Sequence, residues 1–173
     1  MNRRGAAAAG LMLAAVLGGC ASRPPAGEAW TSGRLALRVD AGAERAASAF
    51  SADFDLRGDD VQGELRLSST IGTRIAQARW SASEALLDTG RGEQRYDDLE
   101  SLSRDALGEV LPLRALPSWL AGRPWDRAPH EARAGGFDQL GWSVNLAGRA
   151  EGRIDAVRSA PPRVVVRVQL ERP

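Results

Sequence analysis

The sequence predicts a mainly β domain with a helical insertion: an antiparallel sheet that curls until its apolar faces look inward, its mouth covered by helices. Three observations predict it. From Trp30 to Trp80, and again from Leu140 to Leu170, apolar and polar residues alternate with a period of two. Between Asp97 and Gly122 the period lengthens to that of a helix. The strands are apolar on one face only, which argues against a parallel sheet, whose strands are buried on both.

The elements follow in order. Leu35, Leu37 and Val39 share a face opposite Arg34 and Arg38. Phe50, Ala52, Phe54 and Leu56 alternate with Ser51, Asp53, Asp55 and Arg57. Gly58-Asp59-Asp60 supplies a turn into Val61, Gly63, Leu65 and Leu67. Ala76, Ala78 and Trp80 form the next inner face, and Glu84 to Thr89 a shorter strand that ends at Gly90-Arg91-Gly92. Asp97 then stands as a helix N-cap with Glu100 three residues on, the spacing of a capping box. Leu99, Leu102, Ala106 and Leu107 follow at helical intervals, and Gly108 can end the helix. A second helix is predicted over 114–121, with Leu113, Leu116, Trp119 and Leu120 as its stripe. Pro117 is tolerated only in a first turn, so that helix starts near Leu116. Leu140, Trp142, Val144 and Leu146 share the face of a returning strand, Ile154 marks a short one, and Val164, Val166, Val168 and Leu170 close the domain.

The N-terminus carries a different message. Arg3 and Arg4 precede an uncharged run from Gly5 to Gly19, the build of a secretory signal and too short for a spanning helix. The run ends in Leu17-Gly18-Gly19-Cys20, a bacterial lipobox pattern whose thiol would take up a diacylglycerol. Cys20 is the only cysteine, so no internal disulfide can form in the mature domain. The expected organisation is a signal peptide over 1–19, a lipidated tether over 20–29 and a folded domain over 30–173. With Pro24-Pro25 and little to pack, the tether reaches roughly 30 Å at full extension.

All 22 acidic residues and 21 of the 23 basic ones follow Cys20, which leaves a formal charge of −1 and no basic face for nucleic acid. No Gly-x-Ser-x-Gly elbow, phosphate loop or histidine pair is present, so neither catalytic residues nor a cofactor is expected. The carboxylate pairs Asp53/Asp55 and Asp97/Asp98 read as a wet strand face and a helix cap. His130, in Ala128-Pro129-His130-Glu131, reads as a surface loop residue and not as a metal ligand. The five tryptophans fit a solid core and a lined cavity equally well. On pattern alone, Ile71 in Ser68-Ser69-Thr70-Ile71-Gly72-Thr73 extends the Leu65–Leu67 face. The other reading of that loop is an exposed apolar tip that enters a bilayer.

Taken in order, several pieces resemble the LolB family of outer-membrane lipoprotein receptors. They are Gly33-Arg34-Leu35-Ala36-Leu37-Arg38-Val39, the segment Phe50 to Gly58, and Gly63-Glu64-Leu65-Arg66-Leu67-Ser68-Ser69 running into Ile71-Gly72-Thr73. Leu111-Pro112-Leu113, Trp119-Leu120, Gly122-Arg123-Pro124, Gly141-Trp142 and the valine-rich last strand continue the match. The resemblance implies an unclosed antiparallel β-barrel covered by a helical lid, anchored by Cys20 at the periplasmic face of the outer membrane. It implies a monomer that accepts acylated lipoproteins from the periplasmic carrier LolA and inserts them into the inner leaflet. Leu35, Leu37, Phe54, Leu67, Trp80 and Trp142 would line the acyl cavity. The family's apolar loop tip, typically Pro-Leu-Gly, falls on Thr70-Ile71-Gly72, which makes Ile71 the membrane-insertion residue. Ala21 in place of Asp after the cysteine favours the outer membrane. The alternatives are a general lipid- or glycolipid-binding lipoprotein and a structural lipoprotein of the envelope with a filled core. Cys20→Ala should leave an uncleaved or mislocalised precursor in fractionated cells, whereas normal processing and outer-membrane recovery would refute the lipobox.

Overall fold

A computed structural model describes residues 29–42 and 46–171. The expected signal peptide, Cys20 and the tether through residue 28 lie outside the described residues. Eleven strands form one antiparallel sheet. The first six are β1 (Thr31–Val39), β2 (Ser48–Gly58), β3 (Gly63–Ser68), β4 (Arg74–Trp80), β5 (Ala85–Asp88) and β6 (Glu93–Tyr96). Helix α1 (Leu99–Leu107), a 3-10 turn (Leu113–Ala115) and α2 (Leu116–Leu120) follow. The chain then makes β7 (His130–Arg133), β8 (Gly136–Gln139), β9 (Trp142–Asn145), β10 (Arg153–Arg158) and β11 (Val164–Leu170).

The strand order is β6-β5-β4-β3-β2-β1-β11-β10-β9-β8-β7. Each half is a meander, and the halves join where β11 pairs with β1, Leu35 opposite Val168 and Val39 opposite Val164. The edges are β6 and β7, so the sheet is open, as a barrel left unclosed would be. The helical segment connects one edge to the other.

The period-two faces become the inside. Leu37, Val39, Phe54, Leu56, Trp80, Leu87, Trp142, Val144, Ile154, Val164 and Val168 are buried in one core with Leu99, Leu102, Leu113, Trp119 and Leu120 of the helical segment. Strands from both halves and the helices therefore share a single interior, which a flat sheet could not arrange. At the tether end of the sheet, two large rings are accommodated by glycines. Gly33 lies opposite Phe54 and Gly63 opposite Trp80. A Cβ on Gly33 would lie 3.0 Å from the Phe54 ring, and one on Gly63 2.3 Å from the Trp80 ring.

On the outer face of the sheet, Glu64 of β3 is buried beneath polar partners. It accepts hydrogen bonds from Arg57 at 2.5 Å, Arg66 at 2.7 Å and Gln77 at 2.6 Å. Burial pushes its carboxyl upward, but the hydrogen bonds and charges of Arg57 and Arg66 prevail and hold it below the ordinary carboxylate value. The same guanidinium groups stack on Trp30, 4.6 Å and 4.3 Å from its ring centre, and so pin the start of the domain to the outer face.

Four elements differ from expectation. The cap of α1 is Asp98, whose carboxylate accepts the Ser101 amide at 2.7 Å, and not Asp97. Either aspartate can cap; starting one residue later turns Leu99 and Leu102 inward. Strand β6 has the sequence Glu-Gln-Arg-Tyr and β7 His-Glu-Ala-Arg, both at sheet edges, where alternation has no buried face to serve. His130 accordingly belongs to a strand, though it is exposed. Leu140 leaves the Trp142–Val144 face. It occupies the two-residue turn between β8 and β9 at φ 54° and is 46% exposed. Gly63→Ala should lower stability by about 1–3 kcal/mol in urea unfolding, because the new methyl meets both a ring and the Arg57 carbonyl. Gly42→Ala, which meets nothing, should be neutral by comparison.

Candidate functional site

The interior is not filled. One cavity of about 90 Å³ lies between Leu35, Leu37, Trp142 and Val166 of the sheet and Leu111, Leu116 and Trp119 of the helical segment. A second, of about 480 Å³, lies between β2–β5 and α1, walled by Ile75, Ala78, Leu87, Leu102 and Ala106, with Thr89 and Arg91 at its lining. Phe50, Leu65, Leu67, Leu107 and Leu113 border both, so the two spaces share one apolar partition. The larger volume falls within the roughly 300–1,000 Å³ of small-ligand pockets; the smaller does not.

The fold places four of the six expected lining residues, Leu35, Leu37, Leu67 and Trp142, on the wall of the smaller cavity, and Leu67 borders the larger as well. Phe54 and Trp80 are not on either wall. They are buried, 4% and 6% exposed, with their rings over Gly33 and Gly63. The indole N–H of Trp80 donates to the Asp59 carbonyl at 3.0 Å. Alternation reveals which face is inner, but not the height along the strand at which a void opens. Of the remaining wall residues, periodicity marks Leu107, the last residue of α1, but not Leu111 and Pro112, which lie just beyond the helix.

Polar groups fix the helical segment at its margins. Gln139, 3% exposed, accepts the Trp119 indole N–H at 2.9 Å and the Trp125 amide at 2.9 Å. Its amide nitrogen donates to the Trp125 and Ala128 carbonyls at 2.7 and 2.8 Å. The Trp119 ring thereby meets Phe137 at 6.2 Å and Trp142 at 6.3 Å between centres. On the other side the fully buried Ser103 hydroxyl donates to the Glu100 carbonyl and accepts the Leu111 amide at 3.1 Å. Arg158 of β10 donates to the Glu109 carboxylate at 2.6 Å and to the Pro162 carbonyl at 3.2 Å. The connector after α1 is thus tied both to its own helix and to the far half of the sheet.

Ile71 projects from the β3–β4 turn and is 86% exposed, outside the core cluster. Extension of the Leu65–Leu67 face is therefore not what this residue does. The turn itself is well determined: the Ser69 and Gly72 amides donate to the Thr73 and Ser69 carbonyls, both at 2.8 Å. The Thr73 amide donates to the Ser69 hydroxyl at 3.1 Å, and Gly72 adopts φ 82°. A rigid turn thus presents one bulky apolar side chain to solvent. Among the described residues, no group of three His, Cys, Asp or Glu is placed to hold a metal ion.

By fold and site this is a mainly β protein whose open sheet and short helices enclose apolar space. The chain belongs to the LolB family: the family model described as "Outer membrane lipoprotein LolB" matches residues 29–171. Curated relatives agree with this placement. It is 31% identical over 189 aligned residues to the outer-membrane lipoprotein LolB of Bordetella petrii, covering 98% of this chain and 93% of the relative. It is 33% identical to that of Chromobacterium violaceum, covering 79% of each, and 28% identical to that of Ralstonia nicotianae, covering 92% and 83%. An environment-sensitive apolar dye should bind the protein, and Leu67→Glu should weaken that binding about tenfold or more, since an uncompensated carboxylate among apolar walls costs several kcal/mol. Circular dichroism separates loss of the site from loss of the fold; a folded wild type that binds no dye would refute an accessible cavity.

Proposed function

We propose that this chain accepts acylated lipoproteins from the soluble periplasmic carrier LolA and places them in the inner leaflet of the outer membrane, as a monomer tethered by acylated Cys20. The reading is supported above all by apolar cavities that share a wall, in a molecule that also presents an apolar tip at Ile71. Acyl chains are the ligand such walls suit. Each buried methylene contributes about 0.8 kcal/mol, no covalent step is needed, and the protein acts as a receptor and not as an enzyme.

The helical segment acts as the lid. The smaller cavity has room for only about three water-sized volumes, far less than one acyl chain needs. Admission of lipid to the smaller cavity therefore requires Leu107, Leu111 and Leu113 to swing outward. The Ser103–Leu111 and Arg158–Glu109 contacts hold these residues in place until lipid enters.

Ile71 serves release. Ile71→Glu should leave stability within about 0.5 kcal/mol of wild type, as surface substitutions usually do. It should still take a lipoprotein from the loaded carrier, because the cavities are untouched. It should fail to pass that lipoprotein to liposomes, because a carboxylate resists entry into the acyl region. Ile71→Leu should behave as wild type. Normal release by a stable Ile71→Glu protein would remove the membrane role of the loop and leave reception standing. Failure of the wild type to take any client from the carrier, with free lipid co-purifying instead, would favour a general lipid-binding protein.

A further inference from the structure

Leu140 is anomalous on two independent counts. It is the one non-glycine residue with positive φ among those described, at 54°, and it is followed by Gly141 at 77°. Gln139 pairs with Trp142, so Leu140 and Gly141 form a two-residue hairpin turn with both centres left-handed. That turn favours Asn-Gly, because a branched side chain is strained there. Burial does not account for the leucine either, since it is 46% exposed and outside the core cluster. Neither turn geometry nor packing explains a leucine at this place, and outliers of this kind point toward function.

Its position in the sheet supplies the direction. The register runs Val39–Val164, Val164–Arg158 and Arg158–Trp142, so the β8–β9 turn lies at the strand end where β1 finishes. The β3–β4 turn lies at that same end, since Gly63 lies beside Gly58 and Ser68 is directed away from it. Ile71 and Leu140 thus project from the same end of the sheet. Val61, the third exposed large apolar side chain among the described residues, lies in the β2–β3 turn at the opposite end.

The turn holding Val61 is acidic, with Asp59 and Asp60, whereas Asp40 and Arg163 in the loops of the opposite end pair with each other. The turns holding Ile71 and Leu140 carry no charge, and Arg91, in the β5–β6 turn of that end, has no ion-pair partner among the described residues. Isolated apolar tips with an available cation suit a phospholipid surface; they offer no contiguous face to a folded partner.

We propose that Leu140 is a second bilayer contact, so that the domain docks on phospholipid through this end at two apolar tips. The inference deepens the membrane reading of Ile71, and its test reads each residue separately. Leu140→Cys, Ile71→Cys and Val61→Cys are each labelled with a polarity-sensitive fluorophore in the full chain. The protein is purified from membranes in detergent and reconstituted into phosphatidylethanolamine–phosphatidylglycerol vesicles, with and without spin-labelled phospholipid. The chain without an added cysteine supplies the background. Labels at 140 and 71 should shift to the blue and be quenched by the spin label, whereas the label at 61 should remain in water. Quenching at 71 without 140 overturns the Leu140 contact and leaves Ile71 standing; quenching at 140 without 71 does the reverse. Quenching at 61 overturns the docking direction. Leu140→Asn suits the turn better and should melt at the same temperature or higher, yet it should reduce quenching of a label at Ile71→Cys. Unchanged quenching in that background overturns cooperation between the tips.

Discussion

The inner face of the sheet is apolar across almost its whole width, and among the described residues the chain between β6 and β7 is what covers it. That constraint governs the rest of the molecule. Had β6 paired with β7, the sheet would have closed into a barrel with no gap for a helical cover. Instead the connection is spent on α1, a 3-10 turn and α2, of nine, three and five residues. At 1.5 Å per residue the helices extend only about 13 and 8 Å. Their leucines and Trp119 reach the sheet but do not tile it. A space of about 480 Å³, partly open to solvent, remains between α1 and β2–β5 where this cover ends.

Apolar contact is non-directional and would let so short a segment settle in several places. Position is set by a few polar groups at its margins. Gln139 uses both ends of its amide to fix Trp119 and the loop through Ala128 against edge strand β8. Ser103 and the Arg158–Glu109 pair fix the other side. Between these margins Arg114 donates to the Asp60 carbonyl at 2.7 Å, and the other contacts are mainly those of leucines that border the cavities.

The sheet could be read from the sequence wherever one strand face was buried, because burial writes a period of two. Residues 35–39, 50–56 and 164–170 announced themselves in this way, and Pro117 with Gly108 marked the helix limits. The edges could not be read, because β6 and β7 bury almost nothing and carry no pattern. Leu140 misled for the opposite reason: it kept the pattern of its neighbours while the backbone turned beneath it. Nothing in the sequence marks Gln139, for its value lies in four hydrogen bonds, to Trp119, Trp125 and Ala128, that only the fold brings together. Periodicity assigns Ile71 to the Leu65–Leu67 face, and only the resemblance favours the exposed tip; its exposure follows from a turn closed by Ser69.

On the proposed function, the incomplete cover also bears on direction. A perfectly preformed cavity would gain about 0.8 kcal/mol per methylene and keep its lipid. Here part of that gain is spent in parting Leu107, Leu111 and Leu113 from the sheet, so net affinity is lower than the buried area implies. A bilayer offers the acyl chains the same apolar surroundings with no lid to displace. Transfer onward is then downhill without nucleotide, and the lid's return to its leucine contacts contributes to it. What remains is the polar gap between protein and membrane, which exposed apolar side chains at one end of the sheet shorten by bringing the domain against the acyl region. Weak cover over the cavity and apolar tips at one end of the sheet are thus two parts of one requirement: hold lipid out of water, but less firmly than the membrane does.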